Sequence, residues 1–368
     1  MPHTPELLES ISRLDRDPHS LSANHYTDDG IMKQEWERIF AQSWLFAGYS
    51  DQLRQPGDYI TCMAGNDPVV VVRDESGVLR AFYNICRHRG HILMKEAAGN
   101  VRGFVCPYHA WGYVTDGSLR SARHSGDVAG FEPGAFGLVA VRVEIFCGMV
   151  FVCLGSESPP VAACYPGLEE ELRAYEPGID DLHFVFRREV TIEANWKLVV
   201  ENYNENYHTP VVHPALRNVL TSDYIVTPRG SYISHEARVN PEATEGFDAT
   251  TIGYERHLNW WLWPNLCLMS IPQGGFRVLN IMPEGPGRTR ETYDFYLPYS
   301  EPNAQQWQQI LFACDTVNVE DIGVCEAVQR GQASRSFDRG RMMVDLKGRD
   351  WSEHAVVHFR NLVLDALA

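Results

Sequence analysis

The 368-residue sequence predicts an α+β protein of two domains, a β-rich one followed by one that mixes sheet with helices. Three observations carry that expectation. The chain is longer than one hydrophobic core usually organises, about 250–300 residues. Strand-like runs dominate from Asp58 to Leu154, and from Phe184 onward sheet-like runs alternate with stretches of helical spacing.

In chain order, residues 1–42 are expected to form an N-terminal helical segment that packs on the second domain, because Ile31, Trp36, Ile39 and Phe40 share one face of the stretch Asp29 to Trp44. The runs DYITCM, PVVVVRD and VLRAFYN, with a turn at Asp74 to Gly77, predict an antiparallel meander. Leu138–Ile145 and Met149–Leu154 add two strands, and the turn-forming Ser156 to Pro160 closes a β domain at 43–158. The second domain, 159–368, begins with a short acidic helix at Gly167–Tyr175. A strand at Phe184–Ile192 then leads into a helix at Asn195–Tyr207. Val219–Thr250 is rich in turns, Leu258–Leu297 holds apolar runs typical of sheet, and helices are expected near Ala304–Arg330 and Ser352–Leu367.

Composition removes several classes of function. Hydrophobic residues make up 44% and charged residues 22%, with no apolar tract of the roughly 18 residues a membrane span needs, so a soluble protein is expected. Met1 to Ser20 carries Glu6, Glu9, Asp15 and Asp17 and no basic segment followed by an apolar run, which argues against a secretory signal and leaves the cytoplasm as the default compartment. A net charge of -16 without a Lys/Arg block argues against nucleic-acid binding. In a reducing compartment the nine cysteines read as ligands or buried thiols rather than disulfides.

Spacing separates those two uses. Cys86-Arg-His88 is followed, after seventeen residues, by Cys106-Pro-Tyr-His109. Two Cys and two His in hairpin loops of a β domain can hold a [2Fe–2S] cluster, thiolates on one iron and imidazoles on the other. Structural zinc also takes two of each, but usually pairs Cys with Cys and His with His. The flanking sequences CRHRG and CPYHAW closely resemble the two cluster loops of the Rieske domain, with Gly90 and Pro107 supplying tight backbone geometry. The other seven cysteines, Cys62 and Cys164 among them, are expected to be buried small hydrophobes.

The second half offers ENYNENYHTPVVHP, from Glu201 to Pro214. This resembles the mononuclear iron motif of Rieske non-haem iron oxygenases, proteins akin to the alpha subunits of aromatic-ring-hydroxylating dioxygenases. The resemblance implies Fe(II) bound by His208 and His213. His208 is placed at the end of a helix broken by Pro210, with His213 on the following turn. Such sites take one carboxylate beside two His and leave positions open for O₂. The segment NVEDIGVCEAVQRG resembles the family stretch that supplies it, which implies Asp321, with Glu320 as competitor. Glu205 stands where most relatives have the Asp that links a cluster histidine of one subunit, here His109, to an iron-bound histidine of the next; it could orient His208. Asn202, three residues earlier, is a candidate for the iron pocket, with a capping or packing role as the alternative.

Taken over nearly the whole chain, the resemblance implies an all-β Rieske domain followed by a helix-grip-like antiparallel sheet whose helices hold iron. It also implies a homotrimer that uses O₂ and a small-molecule substrate. No ferredoxin-type four-Cys pattern or G-x-G-x-x-G turn is present, so NAD(P)H electrons would come through a separate flavin/iron–sulfur reductase. Glu at the bridge position is similar to oxygenases of quaternary ammonium compounds such as carnitine, glycine betaine and stachydrine. Tyr203, Trp261 and Trp263 are candidates for an aromatic cage around a trimethylammonium group. The alternatives are an aromatic acid or ring, with Arg277 or Arg256 pairing a carboxylate, and, more distantly, an electron carrier or a non-catalytic subunit.

Overall fold

The computed structural model describes residues 18–216, 224–240, 256–271 and 274–368. The chain forms two compact units. One comprises Phe40–Glu169 with Ile179–Asp181; the other gathers the described residues up to Ile39 with Glu170–Gly178 and Leu182–Ala368.

In the first unit, strands β1 (Leu45–Tyr49), β2 (Asp58–Ala64), β3 (Asp67–Arg73), β4 (Leu79–Tyr83), β5 (Ala98–Asn100), β9 (Ala140–Phe146) and β10 (Met149–Cys153) form one antiparallel sheet in the order β1-β10-β9-β4-β3-β2-β5. The short strands β6 (Phe104–Val105), β7 (Gly112–Tyr113) and β8 (Leu119–Ser121) make a second, three-stranded sheet. Val69 to Val72 on β3 are wholly buried, and Val70, Val72 and Phe82 pack with Phe104 and Trp111 around Cys86 and Cys106. An apolar core therefore backs the two cysteines. Cys62 and Cys164 are only half-buried, unlike the other five cysteines outside the paired motifs, because neither lies on a core-facing position of its element.

The second unit is one antiparallel sheet in the order β11-β17-β16-β15-β14-β13-β12. Its strands are β11 (His183–Ile192), β12 (Ile225–Arg229), β13 (Tyr232–Arg238), β14 (Arg256–Leu262), β15 (Leu266–Ser270), β16 (Phe276–Gly285) and β17 (Arg288–Leu297). Helices Trp196–Tyr203, Ala304–Phe312, Asn318–Gln332 and His354–Leu367 accompany it. A π-helical turn, Ala313–Val317, joins the second of these to the third. Part of the turn-rich stretch expected at Val219–Thr250 falls at 219–223 and 241–250, outside the described residues.

The helix expected from Asp29 to Trp44 is shorter and turned to another face. It runs Asp29–Arg38, capped by the Asp28 carboxylate on the Ile31 N–H, and buries Met32, Glu35 and Ile39, while Ile31 and Trp36 are only half-buried. A buried glutamate hides that face from a reading based on apolar spacing. Glu35 is paired with the equally buried Lys197 (2.6 Å) and accepts from the Trp196 indole (2.8 Å), both on the first turn of helix Trp196–Tyr203. Tyr26 donates to Glu201 on the same helix (2.7 Å). Tyr26 and helix Asp29–Arg38 are thus fastened to the element that precedes the histidine motif; the first seventeen residues lie outside the described residues.

Breaking a buried pair strands a charge, whereas neutralising both partners does not. Lys197→Met is expected to lower stability by about 3–5 kcal/mol. Lys197→Met with Glu35→Gln, which keeps an acceptor for Trp196, should recover much of that loss in denaturant titrations. A single variant as stable as the double would show that the unpaired Glu35 carboxylate carries no penalty.

Candidate metal centres

The two Cys/His loops use the same backbone turn. The Cys86 N–H donates to the His91 carbonyl (2.8 Å) and the Gly90 N–H to the Cys86 carbonyl (2.9 Å); the Cys106 N–H donates to the Trp111 carbonyl (2.8 Å) and the Ala110 N–H to the Cys106 carbonyl (2.9 Å). Each turn passes through a left-handed residue at its fourth step, Gly90 with φ 71° and Ala110 with φ 58°. The thiols point inward and are 2% exposed, whereas His88 is exposed and His109 half-buried. The two imidazoles stand edge to face with centroids 4.7 Å apart, and His88 stacks on Trp111 at 4.9 Å.

Whether these residues suit a cluster is tested by two atoms. The Nδ1 of His109 is buried yet has no hydrogen-bond partner, an arrangement that a metal ion would satisfy. The Tyr113 hydroxyl accepts from the Arg87 N–H (3.0 Å), which leaves its proton free for the Cys86 sulfur at 3.3 Å. Hydrogen bonds to sulfur are one of the means by which a protein sets cluster potential.

In the second unit, helix Trp196–Tyr203 is N-capped by Asn195 and ends at Tyr203, not at the expected Tyr207. His208 therefore does not close that helix, and Glu205 shares no helix face with it. The cause is Glu205 itself. Its carboxylate accepts the backbone N–H groups of Tyr207 and His208 (3.1 Å for the latter), a local arrangement that competes with helix. Its other oxygen lies 2.5 Å from His208 Nδ1. Pro210 does not break a helix but sits in the first turn of a new one, Thr209–Val212, which delivers His213.

His208, His213 and Asp321 offer ligand atoms that all lie within 4.8 Å of one another. Asp321 Oδ1 is 3.0 Å from His213 Nε2 and 3.5 Å from His208 Nε2, yet it makes no aligned hydrogen bond with either. Two ligands each about 2.1 Å from one ion, seen at roughly 90–110°, lie about 3.0–3.4 Å apart. The donors fit a shared cation better than a shared proton. Burial disfavours a charge on His208, but the adjacent Asp321 and Glu205 carboxylates outweigh it and raise the imidazole pKa above its ordinary value.

Glu320 is not a competitor for this position. Its carboxylate lies 2.8 Å from His213 Nδ1, the far side of the ring from Asp321. Each histidine thus has a glutamate at Nδ1, Glu205 for His208 and Glu320 for His213, and turns Nε2 toward Asp321. Such partners fix tautomer and ring orientation. The adjacent acids of the Val-Glu-Asp run were the only sequence trace of this arrangement.

A cavity of about 230 Å³ opens beside the three residues and is lined by Asn202, Tyr203 and Glu205 together with Arg277 and Tyr293. That volume suits a small molecule. Trp261 and Trp263 do not line it. Trp261 is fully buried, and both rings pack on Phe359 of helix His354–Leu367, at 5.3 and 6.4 Å. Trp261 shares a sheet face with the cavity-lining His257 and Asn259 but lies farther along β14, where that helix covers the strand. Arg256 is likewise outside, half-exposed and paired with Glu236 at 2.6 Å. Among the described residues, no helix is long and apolar enough to cross a membrane.

Residues 43–132 match the Rieske [2Fe-2S] domain, and residues 179–368 match the ring hydroxylating alpha subunit (catalytic domain). The chain is 34% identical over 352 residues to the carnitine monooxygenase oxygenase subunit of Escherichia coli (strain K12), covering 94% of this chain and 92% of that one. It is 31% identical over 345 residues to the chloroplastic choline monooxygenase of Amaranthus tricolor, covering 90% and 76%. The crystal structure of the quaternary ammonium Rieske monooxygenase CntA with its substrate L-carnitine superposes with a TM-score of 0.88 at 29% identity over all of both chains. With both halves matched in order, this chain belongs to the ring-hydroxylating oxygenase alpha-subunit family, Rieske oxygenases that carry a [2Fe–2S] cluster and a mononuclear iron.

Proposed function

We propose that the protein is the terminal oxygenase for a small quaternary ammonium compound and oxidises it at a carbon next to nitrogen. Cys86, His88, Cys106 and His109 hold the cluster; His208, His213 and Asp321 hold Fe(II). The observation that carries the reading is the His208, His213 and Asp321 set opening onto a small cavity, in a chain whose relatives act on carnitine and choline. Bound iron supplies O₂ activation, with electrons delivered through the cluster.

This chain's own residues do the rest. Glu205 and Glu320 keep both imidazoles in the tautomer that points Nε2 at the metal. Asn202 and Tyr203 form cavity wall; the Tyr203 hydroxyl is spent on the Leu268 carbonyl (3.1 Å), so its ring and not its proton is offered to the substrate. A trimethylammonium group gains from such a face. One oxygen atom enters an N-methyl C–H bond and the other leaves as water, consuming two electrons and two protons; the hemiaminal then splits into formaldehyde and a tertiary amine. Oxidation at the carbon bearing a longer substituent would release trimethylamine instead.

The electrons come from NAD(P)H through a separate reductase. In a homotrimer, Glu205 would join His208 to His109 of the neighbouring subunit. Oxygen uptake with a surrogate reductase is the test, run on glycine betaine, carnitine, proline betaine and choline beside benzoate, phthalate and salicylate. Coupled turnover of one or more onium compounds is expected, with formaldehyde or amine formed in step with O₂. Turnover of an aromatic acid and of no onium compound would sink the proposal.

A further inference from the structure

We propose that Arg277 anchors a carboxylate of the substrate, so that the compound oxygenated is a zwitterion of the betaine type and not a simple onium alcohol. The inference rests on the proposed function and narrows it.

Met269, Arg277 and Phe295 occupy one row across β15, β16 and β17, and all three line the cavity beside His208, His213 and Asp321. Arg277 is the single Arg or Lys among the described lining residues. Its guanidinium is held by soft contacts. Nε and Nη2 meet the thioether of Met269, with Nε at 3.2 Å, and the group lies 5.8 Å from the centre of the Tyr293 ring. These contacts orient a cation without neutralising it. Among the described residues no carboxylate forms an ion pair with it: the two carboxylates on the cavity wall, Glu205 and Asp321, face the histidines, and Glu291 takes the Tyr293 hydroxyl (2.7 Å).

Glu291 acts on Arg277 only at a distance, so the half-buried guanidinium has no carboxylate in contact, and its planar fork matches a carboxylate through two parallel N–H donors. His257 adds no second charge, because burial and the nearby Arg277 hold its pKa down to about 4. The wall therefore offers one fixed positive point, and the aromatic rings and metal-binding residues remain for the other end of the molecule. A carboxylate fastened at Arg277 fixes how far the onium nitrogen reaches along the cavity, so the separation of the two charges within the substrate selects among betaines.

The test measures binding, which does not depend on turnover. Anaerobic titration calorimetry on the oxidised holoenzyme would compare glycine betaine and carnitine with their methyl esters and with choline. The acids should bind about 10- to 100-fold more tightly than their esters, the range of a charge-assisted hydrogen-bonded pair. Arg277→Gln should erase that preference while leaving ester binding in place, which also shows that the cavity is intact. Arg277→Lys should keep part of it, and Arg256→Gln all of it. Equal binding of acid and ester by the wild type, or a preference that survives Arg277→Gln, would overturn the anchor while onium turnover stood. Absence of onium turnover altogether would overturn the proposed function instead.

Discussion

His213→Ala is expected to yield a protein that keeps its Rieske cluster but holds no mononuclear iron and turns over no substrate. Cys86→Ala should give the converse, iron without the cluster. The two ligand sets are assembled by different units from different elements, so neither should need the other to form. Both changes are expected to reduce activity to background, since each site has few protein ligands and the loss of one leaves the metal too weakly held to be retained. Iron analysis together with the EPR spectrum of the reduced protein decides the matter. Loss of both metals in either variant would show that the sites are coupled, and zinc in place of iron would refute the assignment.

A second large effect is expected at Glu205. Glu205→Gln keeps the length of the side chain and one acceptor for His208 Nδ1, but removes the charge. Both metals should be retained while turnover falls by about 10- to 100-fold, the usual cost of losing such a partner. Glu320→Gln supplies the contrast, because Glu320 holds the other histidine. It should act chiefly by weakening iron affinity. The diagnostic measurement is single-turnover oxidation of the reduced cluster in the presence of substrate. A normal rate in Glu205→Gln would leave this carboxylate with a purely local role in the loop from Glu205 to His208.

The residues that the structure gathers at His208, His213 and Asp321 were legible in the sequence because metal ligation restricts both residue type and spacing. C-x-H and C-x-x-H, or two histidines five apart, leave few other readings. What stayed hidden belongs to relationships that no local pattern records. Glu320 touches His213 from 107 positions away. Glu35 sits on a core-facing position because Lys197 meets it from 162 positions away, and a reading by hydrophobic spacing treats both as solvent-facing. The helix expected to run to Tyr207 fails for a side-chain reason, since a glutamate that folds back onto its own backbone looks in sequence like any helix former. Trp261 and Trp263 show the limit of composition. Their density suggests a cage, and only the position of helix His354–Leu367 shows that Trp261 fills the core with the half-buried Trp263 packed beside it.

Neighbouring residues on a helix point about 100° apart and normally serve different surroundings. Glu320 and Asp321 nevertheless face the same imidazole, one at each nitrogen, because the ring of His213 spans the angle between them. The longer side chain reaches the distal nitrogen and the shorter one stays beside the metal-binding edge. Acidic residues are usually treated as near-equivalents in substitution scoring. At this pair the order itself carries information: Asp-Glu would have the same composition and charge as Glu-Asp, yet place each carboxylate a methylene away from its task. The order of the two acids is thus the feature that sets this pair apart from an acidic patch on a helix.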